Sequence, residues 1–168
     1  MILDELEILF EEDDMDFDGP TSDQLYKMYG IFLNDFHKNP LLHNGKKVII
    51  NVNRSRHPLF RGKFETFVHV VTRDNKYNDK RQYDRDRANR IHWIRPVLEH
   101  HKNPRISCFE RTDEKGNNQY YYWLQERSFM IILREISAEL LLLTAFCVDD
   151  FNKAQYRRYL NEYRNRRQ

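Results

Sequence analysis

The feature that most constrains the fold is a set of four β-type runs close together in one part of the 168-residue chain. The runs cover residues 105–111, 119–126, 128–136 and 139–149, and the connections between them are short. Short connections join antiparallel neighbours, whereas parallel strands need a long crossover. The sequence therefore predicts a four-stranded antiparallel meander in this part of the chain.

Helical patterns surround this predicted sheet. Apolar residues recur at helical spacing over 24–37, over 84–101, where a proline should kink the helix, and over the basic stretch 152–168. A short apolar run at 48–52 follows an Asn44-Gly45 turn and predicts one more strand. The expected fold class is α+β, with N-terminal helices packed on a four-stranded antiparallel sheet and a basic C-terminal helix.

Charge is distributed unevenly along the chain. Residues 1–23 carry ten acidic and no basic side chains, whereas the rest holds all 28 Lys and Arg against 16 Asp and Glu, a net charge of +12. Such a basic body favours polyanionic partners. The acidic N-terminal segment 1–23 is interpreted either as a solvated tail or as a shield that docks on the basic surface. Residues 24–168 are expected to form a single α+β domain.

Several functional classes lack their sequence signatures. No apolar run approaches the roughly 18 residues of a membrane-spanning helix, and residues 1–23 do not resemble a secretory signal. Cys108 and Cys147 form no CxxC pair, and no His, Cys, Asp or Glu cluster has metal-ligand spacing. P-loop, GxGxxG, HExxH and GxSxG motifs are absent. We therefore expect a cytoplasmic protein, or one exported by a route other than a secretory signal, with no metal, other cofactor or membrane partner.

The residues best suited to chemistry lie in 54–105, which holds 14 Lys and Arg, 6 Asp and Glu and most of the histidines. Metal-free RNA cleavage needs proton transfer, for which histidine is suited, and cations that stabilise the phosphorane. We predict His69 as the principal proton-transfer residue, with His57 as a second and Glu65 as an orienting group one turn before His69. Two alternatives stay open. Glu65 and His69 could be an ordinary pair on the surface of a helix, and His57 could be a turn residue.

Other polar side chains would complete this site if the helices pack near one sheet face. Arg134 lies in an otherwise apolar strand, where a buried guanidinium needs an anion, and Thr144 interrupts an apolar run with a hydroxyl. Thr144 could equally bond to backbone, and the aromatic stretch 120–123 could stack on bases or pack in the core. The predicted substrate-binding residues are Arg61, Lys63, Arg73, Tyr122, His92 and Arg95.

The order of these segments resembles the phage- and mobile-element-encoded toxins of the BECR group, named after barnase, EndoU, colicin nucleases and RelE. The resemblance covers about residues 45–150 and rests on the segments 90–99, 109–110, 120–124, 131–135 and 141–146. It implies a compact, metal-independent α+β ribonuclease that holds RNA on its antiparallel sheet. It also implies His69 as base or acid, with Arg134 and Thr144 near the phosphate.

Three function hypotheses follow. The first is a toxin or phage-associated ribonuclease that cleaves RNA, with tRNA as one candidate substrate, by attack of the 2′-hydroxyl, and that has a cognate antitoxin or immunity protein. The second is a non-catalytic RNA- or DNA-binding protein that uses the same basic surface. The third is an interaction module whose acidic segment mimics nucleic acid.

Overall fold

The computed structural model describes residues 2–75 and 80–167. The α-helices in these ranges are α1 (Ser22–Leu33), α2 (Glu65–Val71), α3 (Arg85–Ala88), α4 (Ile94–Glu99) and α5 (Asp150–Arg166). A π-helical turn, Asn34–Lys38, continues α1, and 3-10 turns cover Ile2–Asp4, Glu12–Asp14, Ile91–Trp93 and Gln125–Arg127. The strands are β1 (Leu42–His43), β2 (Lys46–Ile49), β3 (Thr72–Arg73), β4 (Gln82–Tyr83), β5 (Ile106–Thr112), β6 (Asn118–Leu124), β7 (Phe129–Ile136) and β8 (Glu139–Cys147). No helix in this part of the chain is long and apolar enough to cross a bilayer.

The main sheet is mixed and has six strands in the order β1-β2-β8-β7-β6-β5. Strands β5 to β8 form the antiparallel meander that the sequence predicts. However, β2 adds to β8 in parallel, with Val48 opposite Leu140, and β1 adds to β2 across the Asn44-Gly45 turn. The prediction of a four-stranded antiparallel sheet is therefore wrong, although the α+β class holds. The parallel pairing joins segments far apart in the chain, and a local pattern cannot identify such a partner.

Helix boundaries follow local capping chemistry. Thr21 caps α1 and forms a capping box with Gln24. The helix predicted over 84–101 is divided into α3, a 3-10 turn and α4, and Pro96 lies in the first turn of α4, where a missing N–H is tolerated. The Asp149 side chain accepts a hydrogen bond from the Asn152 backbone N–H at 2.8 Å and so caps α5.

Two apolar cores lie on opposite faces of the sheet. The larger core packs helices α1 to α4 against one face, and the smaller core packs α5 against the other. In β7, Phe129 and Ile131 face the larger core while Met130 and Ile132 face the smaller one, as the alternation of a strand requires. The site described below can therefore receive side chains from both layers of helices.

A β-bulge interrupts this alternation in β8. Ile132 pairs with Thr144, but the next residue of β7 pairs with Leu142, so Leu143 is an extra residue in β8. Leu142 and Ala145 consequently both face the larger core, although strict alternation would place them on opposite faces. The bulge places Thr144 on the α5 face of the sheet.

The acidic N-terminal segment is part of the folded structure. Leu3 and Leu6 are buried in the larger core. The Glu7 carbonyl accepts hydrogen bonds from Trp93 Nε1 at 2.9 Å and from His92 Nε2 at 2.6 Å. A solvated tail therefore does not describe these residues. All ten carboxylates lie on the surface: the exposed acidic residues are Asp4, Glu5, Glu7, Glu11, Glu12, Asp13, Asp14, Asp16, Asp18 and Asp23.

Candidate active site at the open edge of β8

The candidate site lies where β8 has an uncovered edge. β2 pairs with β8 only at Leu140 and Leu141, so residues 143–147 have no described strand beside them on that side. Helices α2 and α3 pack against this edge, and α5 begins just after it. A cavity of about 540 Å³, here called the His69 cavity, opens between these elements. Its lining residues include His69, Arg81, Arg87, Thr144, Asn152 and Tyr156.

His69 reaches the cavity because of the side-chain pattern of α2. The other residues of this helix are buried, which leaves Glu65 and His69, one turn apart, as its partly exposed side chains. Burial lowers the pKa of His69 below its ordinary 6.5, the charge of Arg81 lowers it further, and the charge of Glu65 opposes both effects. The imidazole is therefore neutral at pH 7 and can accept a proton. Glu65 acts through its charge, and no hydrogen bond joins these two described side chains.

Two guanidinium groups lie beside His69. Arg81 Nη2 and Arg87 Nη1 both donate to the carbonyl oxygen of Thr72, at 2.8 and 2.6 Å. Arg81 Nη1 also donates to Asp74 Oδ1 at 2.7 Å. Burial lowers the pKa of both guanidinium groups, because each positive charge is partly removed from water. The two guanidinium groups bring positive charge to the wall of the cavity, where planar groups of this kind can bind an anion with several oxygens. Asp74 and Asp149 also line the cavity, and Arg87 pairs with Asp84 at 3.6 Å, so carboxylates offset part of this charge.

Thr144 lines the His69 cavity, but its hydroxyl is directed into the protein. Oγ1 is buried and has no hydrogen-bond partner among the described residues. An unpaired buried hydroxyl costs roughly 1–3 kcal/mol, so this group is an exception to normal polar satisfaction. In this rotamer Thr144 contributes to the wall of the cavity, and contact between its hydroxyl and a ligand requires a change of rotamer.

His57 does not line the His69 cavity. Its Nε2 donates to the carbonyl oxygen of Arg81 at 2.8 Å, and its Nδ1 accepts from the Leu59 backbone N–H at 3.2 Å. Both ring nitrogens are therefore engaged with the backbone. His57 holds its turn against Arg81, the residue just before β4, as in the turn-residue alternative.

Arg134 lies on the same sheet face as Thr144 but lines a different cavity. It is two residues beyond Ile132, the residue opposite Thr144, which corresponds to about 7 Å along β7. Its cavity, of about 460 Å³, is also lined by Arg111 and Gln119. Arg134 is therefore a neighbour of the His69 cavity and is not one of its lining residues.

The predicted substrate-binding residues also lie outside the His69 cavity. Arg73 comes nearest, because it pairs at 3.5 Å with Asp84, which also pairs with Arg87. The Nζ atom of Lys63 lies 5.2 Å from the centre of the Tyr29 ring. The remaining members are exposed or belong to other sites: Arg61 is exposed, His92 and Arg95 line a groove beside α1, and Tyr122 is buried.

Tyr122 belongs to a buried cluster on the opposite sheet face. Nε2 of His43 lies 2.6 Å from the Tyr122 hydroxyl, and the rings of His43 and His101 are centred 4.1 Å apart. Burial, with the added effect of His101, lowers the pKa of His43 to about 4. His43 is only 2% exposed and neutral at pH 7, so its role is structural. Because β1 is two residues long, the sequence contains no periodic signal that this histidine is buried.

Arg81 and Arg87 are the site residues that sequence reasoning misses. Arg81 precedes the helix predicted over 84–101 and Arg87 lies in its first turn, and both belong to a stretch of alternating charge, 80–87, that contains no signal for a functional site. The only available signal was the density of arginine over 54–105.

Within the described residues, no group of three or more His, Cys, Asp or Glu side chains could hold a metal ion. Comparison with family models, curated proteins and solved structures finds no match to this chain.

Proposed function

We propose that this protein is a metal-independent endoribonuclease that cleaves RNA in the His69 cavity. The observation that supports this function is the convergence of a neutral imidazole and two guanidinium groups in one cavity of suitable size for a nucleotide. A role as a toxin of the BECR type, with a cognate antitoxin, stays a prediction that rests on the resemblance.

In the proposed reaction His69 removes the proton of a 2′-hydroxyl, and the 2′-oxygen attacks the adjacent phosphorus. The bond from phosphorus to the 5′-oxygen breaks, which gives a 2′,3′-cyclic phosphate and a new 5′-hydroxyl. Arg81 and Arg87 stabilise the negative charge of the phosphorane. Tyr156 lines the same cavity, and burial raises its pKa above the ordinary 10, so the phenol remains protonated at pH 7. It is the proposed donor of a proton to the leaving 5′-oxygen.

The test compares wild type with His69→Ala on total RNA and tRNA in the presence of EDTA. We expect wild type to leave 2′,3′-cyclic phosphate ends, and we expect the variant to lose roughly 10²- to 10⁴-fold in rate, because removing a general base typically has this effect. His37→Ala is the matched control, since His37 is exposed and lies on another element. RNA that stays intact, with or without Mg²⁺ or Mn²⁺, overturns the proposal.

A further inference from the structure

We infer that one flank of α5 forms a groove for single-stranded RNA, with a second phosphate-binding cavity about four nucleotides from the His69 cavity. This inference rests on the proposed function and specifies the form of its substrate. Helix α5 begins at one cavity and ends at another.

The two cavities open on the same side of α5. Asn152 and Tyr156 line the His69 cavity, while Tyr159 and Arg166 line a second cavity of about 480 Å³ beside β5, here called the Arg166 cavity. Asn152, Tyr159 and Arg166 follow one another at intervals of seven residues. Seven residues are nearly two helical turns, so these three side chains share one flank of the helix.

The spacing of the two cavities suits a short single strand. The α5 residues that line one cavity are centred about nine positions along the chain from the α5 residues that line the other. Nine residues correspond to about 14 Å along the helix. A stacked strand rises about 3.4 Å per nucleotide, so about four nucleotides span this distance. Both cavities have the size of pockets that hold one small ligand, and a duplex would not enter them.

The chemistry of the Arg166 cavity suits a phosphate with a neighbouring base. The Arg111 guanidinium lies 3.6 Å from the centre of the Tyr159 ring. Arg167 pairs with Glu110 at 3.8 Å, whereas Arg166 is exposed and makes no ion pair with a described residue. The three arginines outnumber the two acidic lining residues, Glu110 and Glu162.

Arg134 extends the positive charge of the Arg166 cavity along the sheet. It lies on the α5 face of the sheet, in the cavity that shares Arg111 and Thr112 with the Arg166 cavity. A strand that leaves the Arg166 cavity along this face therefore meets the Arg134 guanidinium, with Asp113 and Glu114 in the same cavity. A positively charged groove with aromatic side chains is the usual form of a site that follows a single-stranded backbone.

The test measures binding of the full chain to fluorescent 2′-O-methyl oligonucleotides by anisotropy. These probes have no free 2′-hydroxyl, so the proposed reaction cannot consume them. Lengths of two, four and eight nucleotides are compared for wild type, Arg166→Gln and Arg157→Gln. Arg157 is the matched control: it is exposed on the same helix and loses the same charge, but nine residues are two and a half turns, which places it on the opposite side.

For the eight-nucleotide probe we expect Arg166→Gln to raise Kd about five- to tenfold at low salt. The slope of log Kd against log salt should fall by about 0.7, because one phosphate contact is lost. Arg157→Gln should change Kd less than twofold, and neither variant should affect the dinucleotide. Equal effects of the two substitutions, or no dependence on length, would overturn the groove.

Cleavage assays on the same variants separate this inference from the proposed function. If wild type cuts RNA and Arg166→Gln shows no length-dependent loss of binding, the ribonuclease stands and the groove is overturned. If wild type never cuts RNA but Arg166→Gln shows the length-dependent loss of binding, the ribonuclease is overturned and the groove is supported. Failure to bind any of the oligonucleotides overturns the groove.

Discussion

Among single residues, His43 gives the sharpest prediction about pH. Its pKa is about 4 in the folded chain, against an ordinary 6.5, so the unfolded chain binds more protons between these values. The stability due to His43 is fully present above pH 6.5 and is lost as pH falls towards 4. The size of this shift corresponds to a loss of about 3 kcal/mol.

The measurement is the free energy of unfolding in urea at pH 7 and pH 4.5 for wild type and His43→Gln. We expect wild type to lose roughly 2 kcal/mol more than the variant over this range, because pH 7 to 4.5 covers only part of the shift. Burial raises the pKa of Asp35 to about 6, which has the opposite effect, because its protonation then favours the folded chain as pH falls. Asp35 is present in both proteins, so its contribution cancels. Parallel pH dependences would contradict the prediction.

At the scale of elements, the N-terminal 3-10 turn Ile2–Asp4 acts as a part of the core. Leu3 has no exposed surface, so Leu3→Ala should lower the free energy of unfolding by roughly 2–5 kcal/mol. Ile2→Ala is the matched control, because Ile2 is 37% exposed and should cost much less. Equal effects in urea unfolding would show that the turn is not docked. Deletion of the whole acidic segment 1–23 would disrupt the core, so this deletion is a poor test of charge shielding.

At the scale of the whole molecule, the acidic segment should weaken binding of RNA to the basic body. Replacing Glu11, Glu12, Asp13 and Asp14 by their amides removes four exposed charges and keeps Leu3 and Leu6 in place. RNA affinity should rise at low salt, and the gain should disappear near 1 M salt, where the Debye length is about 3 Å. Equal affinity of the two proteins at every salt concentration would exclude shielding.

Periodicity and turn chemistry account for the parts of the fold that the sequence predicts. The four strands of the meander, α1 and α5 depend on the alternation and capping of neighbouring residues, which are visible in the sequence. The Asn44-Gly45 turn is another such feature, since both residues have positive φ, at 53° and 77°, as this dipeptide favours. His69 was identifiable as a candidate because histidine is rare and suited to proton transfer.

The sequence by itself thus determined the local elements and the charge separation, and it made His69 a candidate for proton transfer. The tertiary structure decided the parallel pairing of β2 with β8, the bulge at Leu143 and the meeting of Arg81 and Arg87 at one carbonyl oxygen. It also placed Arg134 outside the His69 cavity. Each of these depends on contacts between segments that are distant in the chain, and no local pattern records which distant segments will pack together.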